Sequence, residues 1–428
     1  MKKFLQCIIL SVAIVSISFG IYKFSKGYDL NLIYKNIDWS ITNKSVEGAV
    51  SFTFDRANNL YIAFKDTIKV VNESNNEEVL IYDKSLNIYD IACSGDSIII
   101  ATDNRVIAYD LSNKEFRDIV TGLPNLGINN KTNITLKDEY LYITIGSNTN
   151  AGIVDEGNKN EDIASFEWVS TGIGYNGNYG FTKFGQVVNS GEKIKEGMLS
   201  NASILKYNLN TGKLSTYATG IRNVEGIATN SMGELTAIVG GMNEEGGREV
   251  KDDVDYIYDI KEKAWYGWPD FSGGDPITSP RFSDGTNKLS YIIENHPTET
   301  PLPPRYQHNS LQSLKGLAID YEGKCFPKDT VIFADNKENC IYVLTELGTS
   351  KAIVSLDKNS YIEKIRYNNS SIYLLDSKAG CIYKIQGEIN NSSFNLPNII
   401  WIFIAILVIA IVMTIIYKVK NKRKLAIL

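Results

Sequence analysis

Six short apolar runs of one kind recur along the chain: Leu60-Tyr61-Ile62-Ala63, Ile98-Ile99-Ile100-Ala101, Leu141-Tyr142-Ile143-Thr144, Leu235-Thr236-Ala237-Ile238, Val331-Ile332-Phe333-Ala334 and Ile372-Tyr373-Leu374-Leu375. Their starts lie 38, 43, 94, 96 and 41 residues apart. Each run follows an apolar strand and a polar turn, and precedes a second turn and a strand ending in Tyr or Ile. A period of about 40 to 50 residues is that of a four-stranded propeller blade, so the sequence predicts an all-β, six-bladed β-propeller with two stretched intervals. Two stacked sandwiches would supply similar strands but give no reason for a fixed period. Composition agrees with sheet. The chain has 428 residues, 43% of them hydrophobic, with 25 tyrosines, and helical spacing is missing between residues 30 and 390.

The first stretched interval contains residues 148–201, polar and glycine-rich yet carrying Phe166, Trp168, Tyr175, Tyr179, Phe181 and Phe184. A connection longer than about 12 to 15 residues needs a reason of its own, and the spaced aromatics predict a flap packed over the propeller face. The second interval holds GGMNEEGGREVKDDVD (240–255) and the proline-rich HPTETPLPPRYQH (296–308). The proline-rich run predicts an extended connector between blades.

Both ends read as membrane-directed. Lys2 and Lys3 precede an uncharged run from Phe4 to Ile21, and residues 1–27 are expected to be a signal anchor or a cleaved signal peptide. Residues 399–417 carry no charge and are followed by Lys418, Lys420, Lys422, Arg423 and Lys424, so residues 396–428 predict a transmembrane helix with a cytoplasmic basic tail. Residues 28–395 then form the exported, extracytoplasmic propeller. Subtracting the nine basic residues of the two end segments from the formal charge of −5 leaves −14 for it. Nucleic acid is excluded as a partner, because phosphate binding needs clustered positive charge. Of the five cysteines, Cys7 lies in the first apolar run; no C-x-x-C metal spacing occurs, and Cys340 and Cys381 occupy equivalent places in successive repeats. Mostly buried thiols are expected.

One stretch carries a specific pattern. Gly220-Ile221-Arg222-Asn223-Val224-Glu225-Gly226-Ile227-Ala228 is followed by Asp255-Tyr256-Ile257 and Tyr266-Gly267-Trp268-Pro269. With Gly122-Leu123-Pro124, Leu141 to Ser147 and Gly316-Leu317-Ala318, it resembles the glucose/sorbosone dehydrogenase family over roughly residues 90 to 345. The resemblance implies a six-bladed quinoprotein propeller that oxidises a sugar, with pyrroloquinoline quinone and Ca2+ as cofactors on the central face. Such chemistry needs a base for the hydroxyl proton, a cation at the quinone and donors for its carboxylates.

Here the sequence departs from the family. Ile128 stands where the family histidine falls, with Asn129 beside it, and neither can act as a base. The two histidines, His296 and His308, both lie in the proline-rich run. The Trp and Arg of the family's cofactor clamp are replaced by Asp335-Asn336-Lys337-Glu338-Asn339, leaving Lys337 as a point charge for a carboxylate. Arg222 and Asn223 remain as cofactor- or ligand-binding residues, and the charge of Arg222 suits an anionic or carbonyl-bearing ligand. Glu244, Asp252, Asp253 and Asp255 supply the carboxylates a calcium ion would use, or else form a solvated acidic loop. Trp265, Trp268 and Pro269 read as a plug at a blade edge. Three functions fit this reading: a propeller diverged toward binding a sugar, glycan or cell-envelope component without turnover; an active quinone- and calcium-dependent sugar dehydrogenase; and a calcium-dependent hydrolase of the lactonase type.

Overall fold

A run such as Ile98-Ile99-Ile100-Ala101 has no polar face, so a strand made of it must be covered on both sides. The structure, a computed structural model, supplies both covers. It describes residues 28, 30–72, 74, 76–283, 285, 288–387 and 413. The chain divides into Met1–Glu388, which holds the propeller, and Ile389–Leu428, of which Met413 alone is described.

The described residues form six antiparallel blades. Blade 1 runs Ser51–Phe54, Leu60–Ala63, Thr67–Val71 and Glu77–Tyr82; blade 2 runs Ile88–Ser94, Ser97–Thr102, Arg105–Asp110 and Phe116–Thr121. Blade 3 is Ile134–Lys137, Tyr140–Ile145, Ser203–Asn208 and Leu214–Thr219, and blade 4 is Val224–Thr229, Leu235–Val239, Tyr256–Ile260 and Tyr306–Gln307. Blade 5 comprises Leu314–Asp320, Thr330–Asp335, Cys340–Leu344 and Ser350–Leu356, with Leu30–Leu32 added at its edge. Blade 6 has Ile362–Asn368, Ser371–Asp376 and Cys381–Gly387, and its fourth strand comes from the other end of the unit, Ile37–Lys44. Inner strands neighbour one another in order, and that of blade 6 returns to blade 1. The six repeated runs are the second strands of the six blades.

Strand alternation now explains the apolar runs. Ile98 and Ile100 pack toward blade 1 with Tyr61 and Ala63, while Ile99 and Ala101 pack toward blade 3 with Ile143 and Leu205. Corresponding clusters fill the remaining gaps between successive blades. A sandwich would cover each sheet on one face only. Cys325 and Cys381 are buried, Cys93 and Cys340 half-buried, and all four are free thiols.

Antiparallel alternation places the start of every inner strand and the end of every second strand at one end of the barrel-like ring. Residues 146–202 leave blade 3 at that end, and residues 240–255 leave blade 4 there. A seventh cluster joins both insertions to the connection 261–305, with Ile153, Trp168 and Phe181 of the first and Met242 and Val250 of the second beside Trp265, Trp268 and Phe271. Below it the buried Asp270 accepts from Arg248 Nη2 at 2.6 Å and from Ile293 N at 2.9 Å, and contacts His296 Nε2 at 2.9 Å. The imidazole of His296 stacks on Trp265.

The proline-rich run differs from expectation. It lies within blade 4 rather than between blades, and Tyr306–Gln307 pairs with Tyr256 and Ile257 as the outer strand. The reason is topological: only the residues after 260 remain to complete that blade before the next inner strand begins at Leu314. Among the described residues no helix is long and apolar enough to cross a membrane. Apart from Met413, the terminal segments 1–27 and 396–428 lie outside the described residues.

Candidate functional site

Four inner strands carry a register irregularity near their first residues: between Ile88 and Asp90, Val224 and Gly226, Lys315 and Leu317, and Ile362 and Lys364. A bulge takes one residue out of the ladder and re-aims its side chain. In blades 4 and 6 that residue is Glu225 and Glu363. Gly226 and Gly316 make this crowding tolerable: a Cβ on Gly226 would stand 2.8 Å from Leu317 N, and Gly316 has φ of 57°.

Residues at the inner-strand starts of blades 3 to 6 line an axial cavity of about 280 Å³. Blade 3 contributes Asn129 and Lys131 from the loop before its inner strand; blade 4 contributes Arg222, Asn223, Glu225, Gly240, Gly241, Asn243 and Asp255; blade 5 contributes residues 312–315 and Asn336, and blade 6 Tyr361. Five carboxamides therefore face one space. Asn129 Nδ2 donates to Ser147 Oγ at 2.9 Å, Asn223 Nδ2 to Glu225 Oε1 at 2.5 Å and Gln312 Nε2 to Asn243 Oδ1 at 3.0 Å. The side-chain oxygens of Asn129, Asn223 and Gln312 have no hydrogen-bond donor among the described residues.

The charges are mutually engaged. Lys315 Nζ donates to Glu225 Oε2 and lies 3.8 Å from Glu363 Oε1, and Lys131 Nζ lies 3.5 Å from the same Glu363 oxygen. Burial acts against the Glu225 carboxylate, yet Lys315, Lys131 and the Asn223 hydrogen bond together outweigh it and hold the pKa down at about 2. Arg222 is 5% exposed. Its Nε donates to Asn150 O and its Nη2 to Asn150 Oδ1, both at 3.0 Å. Burial lowers its pKa, against the opposing fields of Asp253, Glu245, Glu225 and Asp255. Through its two bonds to Asn150 the guanidinium clasps the flap.

Asp255 accepts the backbone N–H groups of Gln312, Ser313 and Leu314 at 3.0, 2.7 and 3.0 Å, which fixes the loop that presents Gln312. Burial nevertheless raises its pKa. Asp253 is consumed by Met242 N at 2.6 Å, the Tyr256 hydroxyl at 2.6 Å and Ser272 Oγ at 2.8 Å. Glu244 is exposed and pairs with Lys251 at 3.1 Å, and Asp252 is an exposed turn residue with φ of 50°. The four carboxylates proposed for calcium thus point to four different tasks, and among the described residues no group of three or more His, Cys, Asp or Glu is arranged to hold a metal ion.

Lys337 is exposed on the turn after blade 5's second strand, where Asp335 Oδ1 accepts its N–H and that of Glu338; it does not line the cavity. Ile128 is 45% exposed at the rim beside Asn129. Neither histidine lines the cavity. His308 is buried, with Nε2 3.0 Å from Asp335 Oδ2 and Nδ1 3.1 Å from the Tyr306 hydroxyl.

Of the residues singled out in the sequence, Asn129, Arg222, Asn223 and Asp255 converge. Lys131, Glu225, Gln312, Lys315 and Tyr361 belong with them and were not singled out. Their shared signal is position: each sits within a few residues of the start of an inner strand.

The fold is similar to that of solved sugar dehydrogenases, among them domains that bind PQQ. No protein-family model matches the chain, and no curated protein matches it. Among solved structures, the holo PQQ domain of pyranose dehydrogenase from Coprinopsis cinerea is similar at a TM-score of 0.56 and 12% identity, over 84% of this chain and 97% of that one. The apo form of the soluble aldose sugar dehydrogenase from Escherichia coli gives 0.56 and 13%, over 82% and 99%. The PQQ-bound aldose sugar dehydrogenase from Streptomyces coelicolor gives 0.53 and 15%, over 83% and 99%.

Proposed function

We propose that the chain is a membrane-tethered, extracytoplasmic propeller that binds a neutral saccharide unit in its axial cavity and does not oxidise it. The lining of the cavity carries this reading: carboxamides with free oxygens, set among ammonium and carboxylate groups that neutralise one another. A sugar hydroxyl donates and accepts at once, so paired donors and acceptors suit it, while a charged ligand would have to break an existing ion pair. A cavity of about 280 Å³ is at the small end of ligand sites and suits one or two sugar rings. The tether rests on the apolar end segments and the basic tail.

The donors at the cavity do not suit pyrroloquinoline quinone beside calcium. Arg222 spends Nε and Nη2 on Asn150, Lys315 is held by Glu225, and Lys337 stands outside. No side chain at the place of Ile128 can take a proton, which forgoes a factor of about 10² to 10⁴ in rate. The test is calorimetric titration of the full chain in lipid nanodiscs with methyl glycosides of glucose, galactose, mannose and xylose. At least one should bind, and Gln312→Ala should weaken it about tenfold, the effect of losing one well-placed hydrogen bond to a polar ligand. Binding of the quinone with Ca2+ and of none of the glycosides would favour the dehydrogenase instead.

A further inference from the structure

Directly before a cavity-lining residue the chain exposes two aliphatic side chains that a bare sugar would not use. The loop between blades 2 and 3 holds Leu126 at 65% exposure and Ile128 at 45%, immediately before Asn129, which lines the cavity. These side chains are not exposed through looseness of the backbone. Leu126 N donates to Asn148 Oδ1 at 3.0 Å, Ile128 N to Asn148 O at 3.1 Å, and Asn160 Nδ2 to Leu126 O at 2.5 Å. Between them Gly127 lies so close to the flap that a Cβ would fall 2.1 Å from Asn148 O. A fixed loop therefore presents two aliphatic side chains to water.

The walls around the cavity are unequal. Blades 3 and 4 carry the long insertions 146–202 and 240–255, whereas the corresponding turns of blades 1, 2, 5 and 6 are residues 64–66, 103–104, 336–339 and 377–380. A ligand larger than the cavity has room to leave it over the low blades, beside the blade 2–3 loop. Single exposed apolar residues need no explanation; here two share one fixed loop, one residue away from a cavity-lining side chain.

Resting on the saccharide reading above, we infer that the ligand is a glycoside with an apolar aglycone, its sugar ring in the axial cavity and its aglycone against Ile128 and Leu126. The polar cavity selects the ring. The exposed pair adds affinity by removing apolar surface from water, and the aliphatic side chain at position 128, unfit as a base, acquires a task there.

Methyl and phenyl glycosides of the same four sugars separate the two claims, since both are water-soluble and differ only in the aglycone. Titrated into the full chain in nanodiscs, the phenyl glycoside of the bound sugar should bind about tenfold more tightly than the methyl glycoside. The double variant L126S/I128S should lose that advantage and leave the methyl glycoside's Kd unchanged, with an unaltered thermal melt showing that it is folded. Equal affinity of the two glycosides for the wild type, or an advantage retained in the double variant, would overturn the inference while leaving the saccharide reading intact. Failure of every glycoside to bind would overturn the saccharide reading and this inference with it.

Discussion

Asn150 links the flap to the floor of the cavity. Its carbonyl accepts from Arg222 Nε and Trp268 Nε1, its side-chain oxygen from Arg222 Nη2 and Asn243 N, and its Nδ2 donates to Asn243 O and Glu245 O. Asn150→Ala removes the side-chain half of this set and leaves a buried guanidinium short of an acceptor. The expected loss is about 3 kcal/mol, measured by urea denaturation followed through tryptophan fluorescence. Asp162, also in the flap, accepts from Asn148 N and Thr149 Oγ1, both at 2.5 Å. Burial outweighs these bonds and the field of Arg222, and pushes its pKa up to about 7. A carboxyl whose folded pKa exceeds its unfolded value of about 3.9 holds its proton more tightly when folded. Its contribution to stability is complete below about pH 4 and is lost as pH rises to about 7, at up to roughly 1.4 kcal/mol per unit. Asp162→Asn keeps the shape, and the Thr149 hydroxyl can turn to accept from the new amide. The variant should show a flatter stability profile between about pH 4 and 7; an unchanged slope would assign the titration elsewhere. At this scale the sequence singled out Arg222 and Asn223, which line the cavity. It did not show that Asn150 occupies the guanidinium, because a contact across 72 residues leaves no trace in local pattern.

The strands were the most legible elements. Burial on both faces turns each second strand into an unbroken apolar run, and six such runs at a fixed period leave few other folds. The fourth strand of blade 4 was hidden because Tyr306–Gln307 spans two residues after a proline-rich stretch and has no alternation to detect. The closing strand was hidden for another reason: Ile37–Lys44 alternates between half-exposed and exposed residues, as an outermost strand should, and pairing across about 340 residues is invisible locally. That pairing makes a prediction. A chain beginning at residue 45 lacks the strand that joins blade 6 to the N-terminal side, including the buried Ile37 and the contact of Trp39 with Tyr383. Its melting temperature should fall by about 10 °C in a circular-dichroism melt, and retention of the full-length value would show that the ring closes without it.

Across the whole molecule, a fold similar to that of solved sugar dehydrogenases encloses a polar cavity for which we propose saccharide binding without oxidation. The ring was legible in the repeat period, the flap in the spaced aromatics of 148–201, and the glycine-bordered Arg222-Asn223 turn in the family resemblance. The departures from the family's motifs were legible at Ile128 and in the turn at 335–339, since both fall at positions a motif defines. The neutralised charges were not, because Glu225, Lys315, Glu363 and Lys131 come from four blades and meet only at the axis. The most direct measurement is a turnover assay of the full chain and of Ile128→His with pyrroloquinoline quinone, Ca2+, a panel of aldoses and an artificial electron acceptor. The account predicts no turnover above background for the wild type and little for the variant, because a base at position 128 leaves Arg222 still clasped by Asn150 and Lys315 still held by Glu225. Robust aldose oxidation by the wild type would contradict it and identify the chain as a dehydrogenase with another base.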